Sequence, residues 1–195
     1  MGVKKMKQEK KERSGLSSCR AETGLWPQDL RGCSFFSHFS EKETSHLLKI
    51  GTVHQCARGE FLVREKEHSR DLFIVLSGEM VVTKTLYAGD ERKLGTIEPG
   101  EFFGEMAFLD GLPRSASVSC WKEGAVFKIS REAFDRLSAK KPAIAYKVTN
   151  IIAAALTERL RRSNDVVEDF FSNPNKAILE FKTRLLKIQT MLQRL

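Results

Sequence analysis

The chain has 195 residues, of which 41% are hydrophobic and 30% charged, a composition that excludes disordered and fibrous classes and leaves room for one ordinary domain with accessory helices. Its longest purely apolar run, residues 151–156, falls far short of the roughly 20 residues a membrane-spanning helix needs. The net charge of +8 is unevenly placed: residues 1–40 carry 8 Lys and Arg against 4 Asp and Glu, residues 41–130 carry 12 against 14, and residues 131–195 carry 13 against 7. The middle is slightly acidic, so the basic excess does not sit on the folded centre, as a nucleic-acid-binding module would have it.

Residues 1–34 open with a run of cations (Lys4, Lys5, Lys7, Lys10, Lys11 and Arg13) and lack periodicity, which predicts a flexible basic leader. No apolar stretch follows it to complete a signal peptide, so a cytoplasmic chain is expected. Phe35, Phe36 and Phe39 should begin a core. Ser40, with Glu43 three residues on, fits a capping box, after which a short helix should carry Leu47, Leu48 and Ile50.

Between residues 52 and 129 short β-branched runs alternate with turn signals. Strands are expected at 52–56, 60–64, 72–76, 80–86, 93–97, 115–120 and 125–129, separated by pairs such as Arg58-Gly59, Ser77-Gly78 and Pro99-Gly100. Such a series predicts an α+β chain built on an antiparallel β-roll or jelly roll of about eight strands, spanning residues 35–141. Beyond Ser130 the period becomes helical. Ser130 should cap one helix, Pro142 should open a second, long one, and Asn173-Pro174 should restart the chain. In the last segment Ile178, Phe181, Leu185, Ile188, Leu192 and Leu195 follow alternating steps of three and four. That spacing predicts a homodimer seam, with back-packing on the same chain as the alternative. Residues 142–195 are thus read as helices for dimerisation or partner contact.

The chemistry concentrates in GEFFGEMAFLDGLPRSASV, residues 100–118. Gly100 and Gly104 allow the backbone to turn sharply around Phe102-Phe103 and enter a single helical turn, whose first N–H groups lack partners and suit an anion. Arg114 would add a fixed positive charge and a fork of donors to the same oxygens. Ser115 can add a hydroxyl, and its N–H and that of Ala116 lie nearby in sequence. A carboxylate beside a phosphate needs something else to face, and Glu105 would suit a sugar hydroxyl. Ala107, Ala116 and Ser117 leave space for that ligand.

This stretch resembles the phosphate-binding cassette of cyclic nucleotide-binding domains, the sensor module of cAMP-responsive bacterial transcription factors, of cAMP- and cGMP-dependent kinases and of nucleotide-gated channels. Arg58-Gly59-Glu60 and FIVLSGEMVV, residues 73–82, extend the likeness to about residues 35–165. The resemblance implies that Arg114 binds the cyclic phosphate and Glu105 the ribose 2′-hydroxyl, with backbone around Gly104, Met106, Ala107, Ser115 and Ala116 completing the pocket. It also places Ser163 and Asn164 where related regulators contact adenine; ordinary exposed helix positions are the alternative. cAMP is the expected ligand ahead of cGMP. The alternatives are a regulator of the cAMP receptor type lacking an obvious helix-turn-helix, and a ligand-free interaction copy of the roll in which Glu105 and Arg114 form an internal ion pair.

Other functions find little support. After Asn164 only 31 residues remain, and they show no Gly-containing turn between two helices, so DNA binding is not expected. His38, His46, His54 and His68 are widely spaced and the four cysteines (Cys19, Cys33, Cys56, Cys120) show no C-x-x-C. No metal, cofactor or catalytic group is expected from that spacing.

Overall fold

The computed structural model describes residues 30, 32–86 and 89–172. They fall into two compact units divided after Thr149. In the first, helices α1 (Ser34–Ser37) and α2 (Glu41–Leu48) precede six strands: β1 (Gly51–Cys56), β2 (Phe61–Val63), β3 (Leu72–Thr85), β4 (Glu91–Ile97), β5 (Phe102–Phe103) and β6 (Ser117–Ile129). A short helix, α3 (Glu105–Asp110), sits between β5 and β6, and α4 (Arg131–Lys140) and the start of α5 (Pro142–Ser172) follow. The rest of α5 is the described part of the second unit. The predicted restart at Asn173-Pro174 and the heptad seam lie outside the described residues, as do the leader's cations.

All pairings are antiparallel, in the order β1-β6-β3-β4, with β2 added to β6 and β5 to β3. Fewer strands form than the turn signals suggest, because β3 and β6 are each one long strand where the sequence reads as two. Ser77-Gly78 is a bulge inside β3, with register shifts from Val75 to Met80 against β6. Gly78 has φ of +81°, and a Cβ there would lie 2.5 Å from the Lys122 carbonyl oxygen. Gly124 faces it, where a Cβ would collide with the Ser77 carbonyl. The two backbones touch because neither residue has a side chain, which lets the paired strands bend together and close the roll.

The interior is filled from both strands and helices. Val75, Met80, Val118, Cys120 and Val126 are buried in one cluster with Phe73 and Phe103, whose rings stack with centroids 4.9 Å apart. At the end of the roll Phe35 meets Phe102 edge-on at 5.8 Å and Phe36 meets Phe127 at 5.6 Å, so α1, too short to be read from periodicity, is held by aromatic packing. The thiols of Cys56 and Cys120 are buried here; desolvation first, and then Cys120, push the Cys56 thiol up to about 12, so it stays protonated.

The capping box forms as the sequence predicts. Ser40 Oγ accepts from the Glu43 N–H, and Glu43 Oε2 accepts from the Ser40 N–H at 2.9 Å. The same carboxylate pairs with Lys147 Nζ at 2.8 Å, tying α2 to the first turns of α5. The Lys147 hydrogen bond first, and then the Ser40 amide, hold the Glu43 carboxyl below its ordinary range. A carboxylate with a depressed folded-state pKa adds stability above its unfolded value and loses it as pH falls through the folded value. Glu43→Gln should therefore cost on the order of 1 kcal/mol at neutral pH. In thermal melts that difference should shrink as pH drops below about 4; an equal difference at pH 7 and pH 3 would contradict the assignment.

Candidate functional site

Three segments of the first unit build the site: the loop before β3, the turn from β5 into α3, and the loop leading to β6. Gly104 is the pivot of the second. Its φ of +83° is left-handed, and a Cβ there would stand 2.5 Å from Arg114 Nη1 and 2.7 Å from the Asp71 carbonyl oxygen. Only glycine supplies both the angle and the space. The chain then enters α3, which runs two residues further than the single turn the sequence suggests, to Asp110. Its first bond closes from the Phe108 N–H to the Gly104 oxygen at 3.1 Å. By helix geometry the N–H groups of Glu105, Met106 and Ala107 have no partner within the helix.

Arg114 is buried, with 4% of its surface exposed. Its guanidinium is fixed by three neutral oxygens: Nη1 donates to the Gly104 carbonyl at 2.9 Å, Nη2 to the Asp71 carbonyl at 2.8 Å, and Nε to Ser69 Oγ at 2.9 Å. The cation also lies 5.8 Å from the centroid of the Phe73 ring. Desolvation lowers its pKa, opposed by the charges of Asp71, Glu67 and Glu105. An arginine nevertheless stays ionised. Three of its five N–H donors are committed to these protein oxygens, which leaves two. Burial and constraint spend in advance the entropy that a flexible cation would lose on binding.

Glu105 is 5% exposed, Ala107 is buried, and Met106 is exposed. Ser115 Oγ lies 3.5 Å from Met106 Sδ, which brings the residue after the arginine against the second residue of α3. Ala116 follows, half-buried. The fold thus gathers Gly104, Glu105, Met106, Ala107, Arg114, Ser115 and Ala116 into one region. Ser163 and Asn164 are exposed on α5 within the second unit. Sequence reasoning missed Ser69 and Asp71, which hold the arginine from 45 and 43 residues away. Those bonds go to a hydroxyl and a main-chain carbonyl, and no local pattern marks either.

Ser69, Asp71 and Phe73 also line a cavity of about 310 Å³ together with His54, Glu67 and Lys128. None of the seven gathered residues borders it. Its lining carries both signs of charge, Glu67 and Asp71 beside Lys128. Among the described residues no group of three His, Cys, Asp or Glu is placed to hold a metal ion. No helix among them is long and apolar enough to cross a membrane.

A family model described as the cyclic nucleotide-binding domain matches residues 53–141, the stretch that holds the αL glycine, the buried arginine and the six-residue helix. The chain has the cyclic nucleotide-binding fold. A solved cyclic nucleotide-binding domain from Methylobacillus flagellatus is 27% identical, with a TM-score of 0.64, covering 73% of this chain and 80% of that one. The cyclic AMP receptor protein of Thermus thermophilus is 28% identical over 135 residues, which are 69% of this chain and 61% of the receptor. A cGMP-dependent protein kinase of Toxoplasma gondii is 26% identical over 140 residues, 71% of this chain but 13% of the kinase. The chain thus matches under two thirds of either relative's length, and the domain is what they share.

Proposed function

We propose that the chain is a cyclic nucleotide sensor, a binding and regulatory module rather than a catalyst, with cAMP as its ligand ahead of cGMP. Arg114 and the N–H groups opening α3 take the cyclic phosphate, Glu105 takes the ribose 2′-hydroxyl, and the backbone of Gly104, Met106, Ala107, Ser115 and Ala116 closes around them. The observation that carries this reading is Arg114: a buried cation with two uncommitted donors, beside a buried carboxylate and at the head of a helix. A phosphate next to a ribose satisfies both signs of charge at once. The aligned cAMP receptor protein supports cAMP as the base form.

The three-part division proposed for the chain is a leader over residues 1–34, the ligand-binding roll over 35–141 and an output segment over 142–195. Output passes through the helices after the roll to a second copy of the chain or to a protein partner. On α5 the exposed Leu160, Val167 and Phe171 recur at i, i+7 and i+11, the spacing of one helix face, which supports a homodimer contact.

Isothermal titration of the full chain with cAMP and with cGMP tests the reading. Saturable one-to-one heat is expected with both, with a Kd for cAMP at least tenfold lower. Folded protein giving no heat with either nucleotide would refute the reading.

A further inference from the structure

Resting on the proposal that a cyclic nucleotide occupies the cassette, we infer that Arg131 is a positioning residue that ties α3 to α4 and carries ligand occupancy from the cassette to the helices that follow. It is the first residue of α4, and its Nη1 donates to the Phe108 carbonyl on α3 at 2.8 Å. That carbonyl is among the last four of α3, which have no partner within the helix, and a cation there also meets the negative end of the helix dipole.

The guanidinium is held by two hydrogen bonds and lies over two rings. Its carbon lies 5.3 Å from the centroid of the Phe108 ring and 5.7 Å from that of Phe134, and its Nε donates to Asp135 on α4 at 2.9 Å. Phe108 and Phe134 themselves meet edge-on at 5.0 Å, both buried. Arg131 thus closes a seam whose two sides belong to different helices.

The seam connects directly to the site. The Gly104 oxygen accepts from both Arg114 Nη1 and the Phe108 N–H, and the Phe108 oxygen accepts from Arg131. From phosphate arginine to α4 the path is one peptide group, one helical turn and one guanidinium. A phosphate that pulls on Arg114 shifts the Gly104 carbonyl, and α3 moves with it. Because Arg131 grips the far end of α3, α4 must follow or the grip must break. A ligand shifts an equilibrium only through such differential contacts, and an unbroken chain of bonds becomes evidence of coupling only when both ends are measured.

Hydrogen exchange of the full chain, with and without saturating cAMP, makes that measurement. In the wild type, cAMP should change exchange in residues 131–140 as well as in α3. Arg131→Met keeps a long side chain between the two rings but removes the donor; it should bind cAMP within about tenfold of wild type while losing at least two thirds of the cAMP-induced change in residues 131–140. Arg131→Lys, which restores a donor and the charge, should recover at least half of it. A purely structural role would alter exchange and melting in both states alike and leave the ligand-induced difference intact. Three results overturn the inference: an undiminished difference in Arg131→Met, no recovery in Arg131→Lys, or a wild type that binds cAMP without response in α4. A wild type that binds neither cAMP nor cGMP instead refutes the sensor reading, and this inference with it.

Discussion

Arg114→Ala should reduce cyclic nucleotide affinity at least a hundredfold. Two charge-assisted hydrogen bonds to a phosphate contribute about 1.5–3 kcal/mol each, and about 1.4 kcal/mol corresponds to a factor of ten in Kd. Arg114→Lys keeps the charge but loses the planar fork, and should fall between the two. The substitution also has a cost without ligand. The Gly104 oxygen keeps its bond from the Phe108 N–H, but the Asp71 carbonyl and Ser69 Oγ lose the partner seen here. An acceptor left buried and unpaired costs about 1–3 kcal/mol, so melting should be measured beside titration. A variant that melts like the wild type and binds cAMP within threefold of it would show that Arg114 does not hold the ligand.

The second large effect is expected away from the site. Gly124→Val should destabilise the fold by about 3 kcal/mol, at the upper end for forcing atoms into a packed interior. The three atoms nearest to a Cβ there are all backbone of β3, including the Ser77 carbonyl carbon at 2.5 Å and the Gly78 Cα at 2.7 Å, and backbone cannot rotate aside as a side chain can. For a chain of this size the melting temperature should fall by about 6–12 °C. Gly32→Ala, where a Cβ meets nothing within 4 Å, is the matching control and should be nearly silent. Equal melting temperatures for the two variants would mean that β3 and β6 do not need the close approach at the bulge.

These two glycines also mark where the sequence stops being legible. Ser77-Gly78 carries the same local signal whether the chain reverses or merely kinks, and only Gly124, 46 residues away in the facing strand, decides between them. The pattern therefore reads as two strands where one bent strand forms. β5 is two residues long and α1 four, too short for any period, and each exists through its packing: Phe102 and Phe103 against Phe35 and Phe73. Where the determinants are local, the reading holds. The Ser40–Glu43 box, the Ser130 cap and Pro142 opening α5 all stand where the residues place them. The cassette was legible for the same reason, because its glycines, acid and arginine fall within fifteen consecutive positions. The support beneath it was not, since Ser69 and Asp71 declare themselves only once the chain has folded.

The ion pair between Glu43 and Lys147 joins residues 104 positions apart, and β1 pairs residue for residue with the last strand, Gly51 opposite Ile129. Few of the contacts that seal the roll are local, and such topologies fold slowly. On a ribosome the first hundred residues must wait with the edge of β1 unpaired and the phenylalanines of α1 uncovered, a period in which the nascent chain is open to misassociation. Synthesis must pass Ile129 before β1 can pair, so the helices proposed to relay the signal follow directly on the strand that seals the roll.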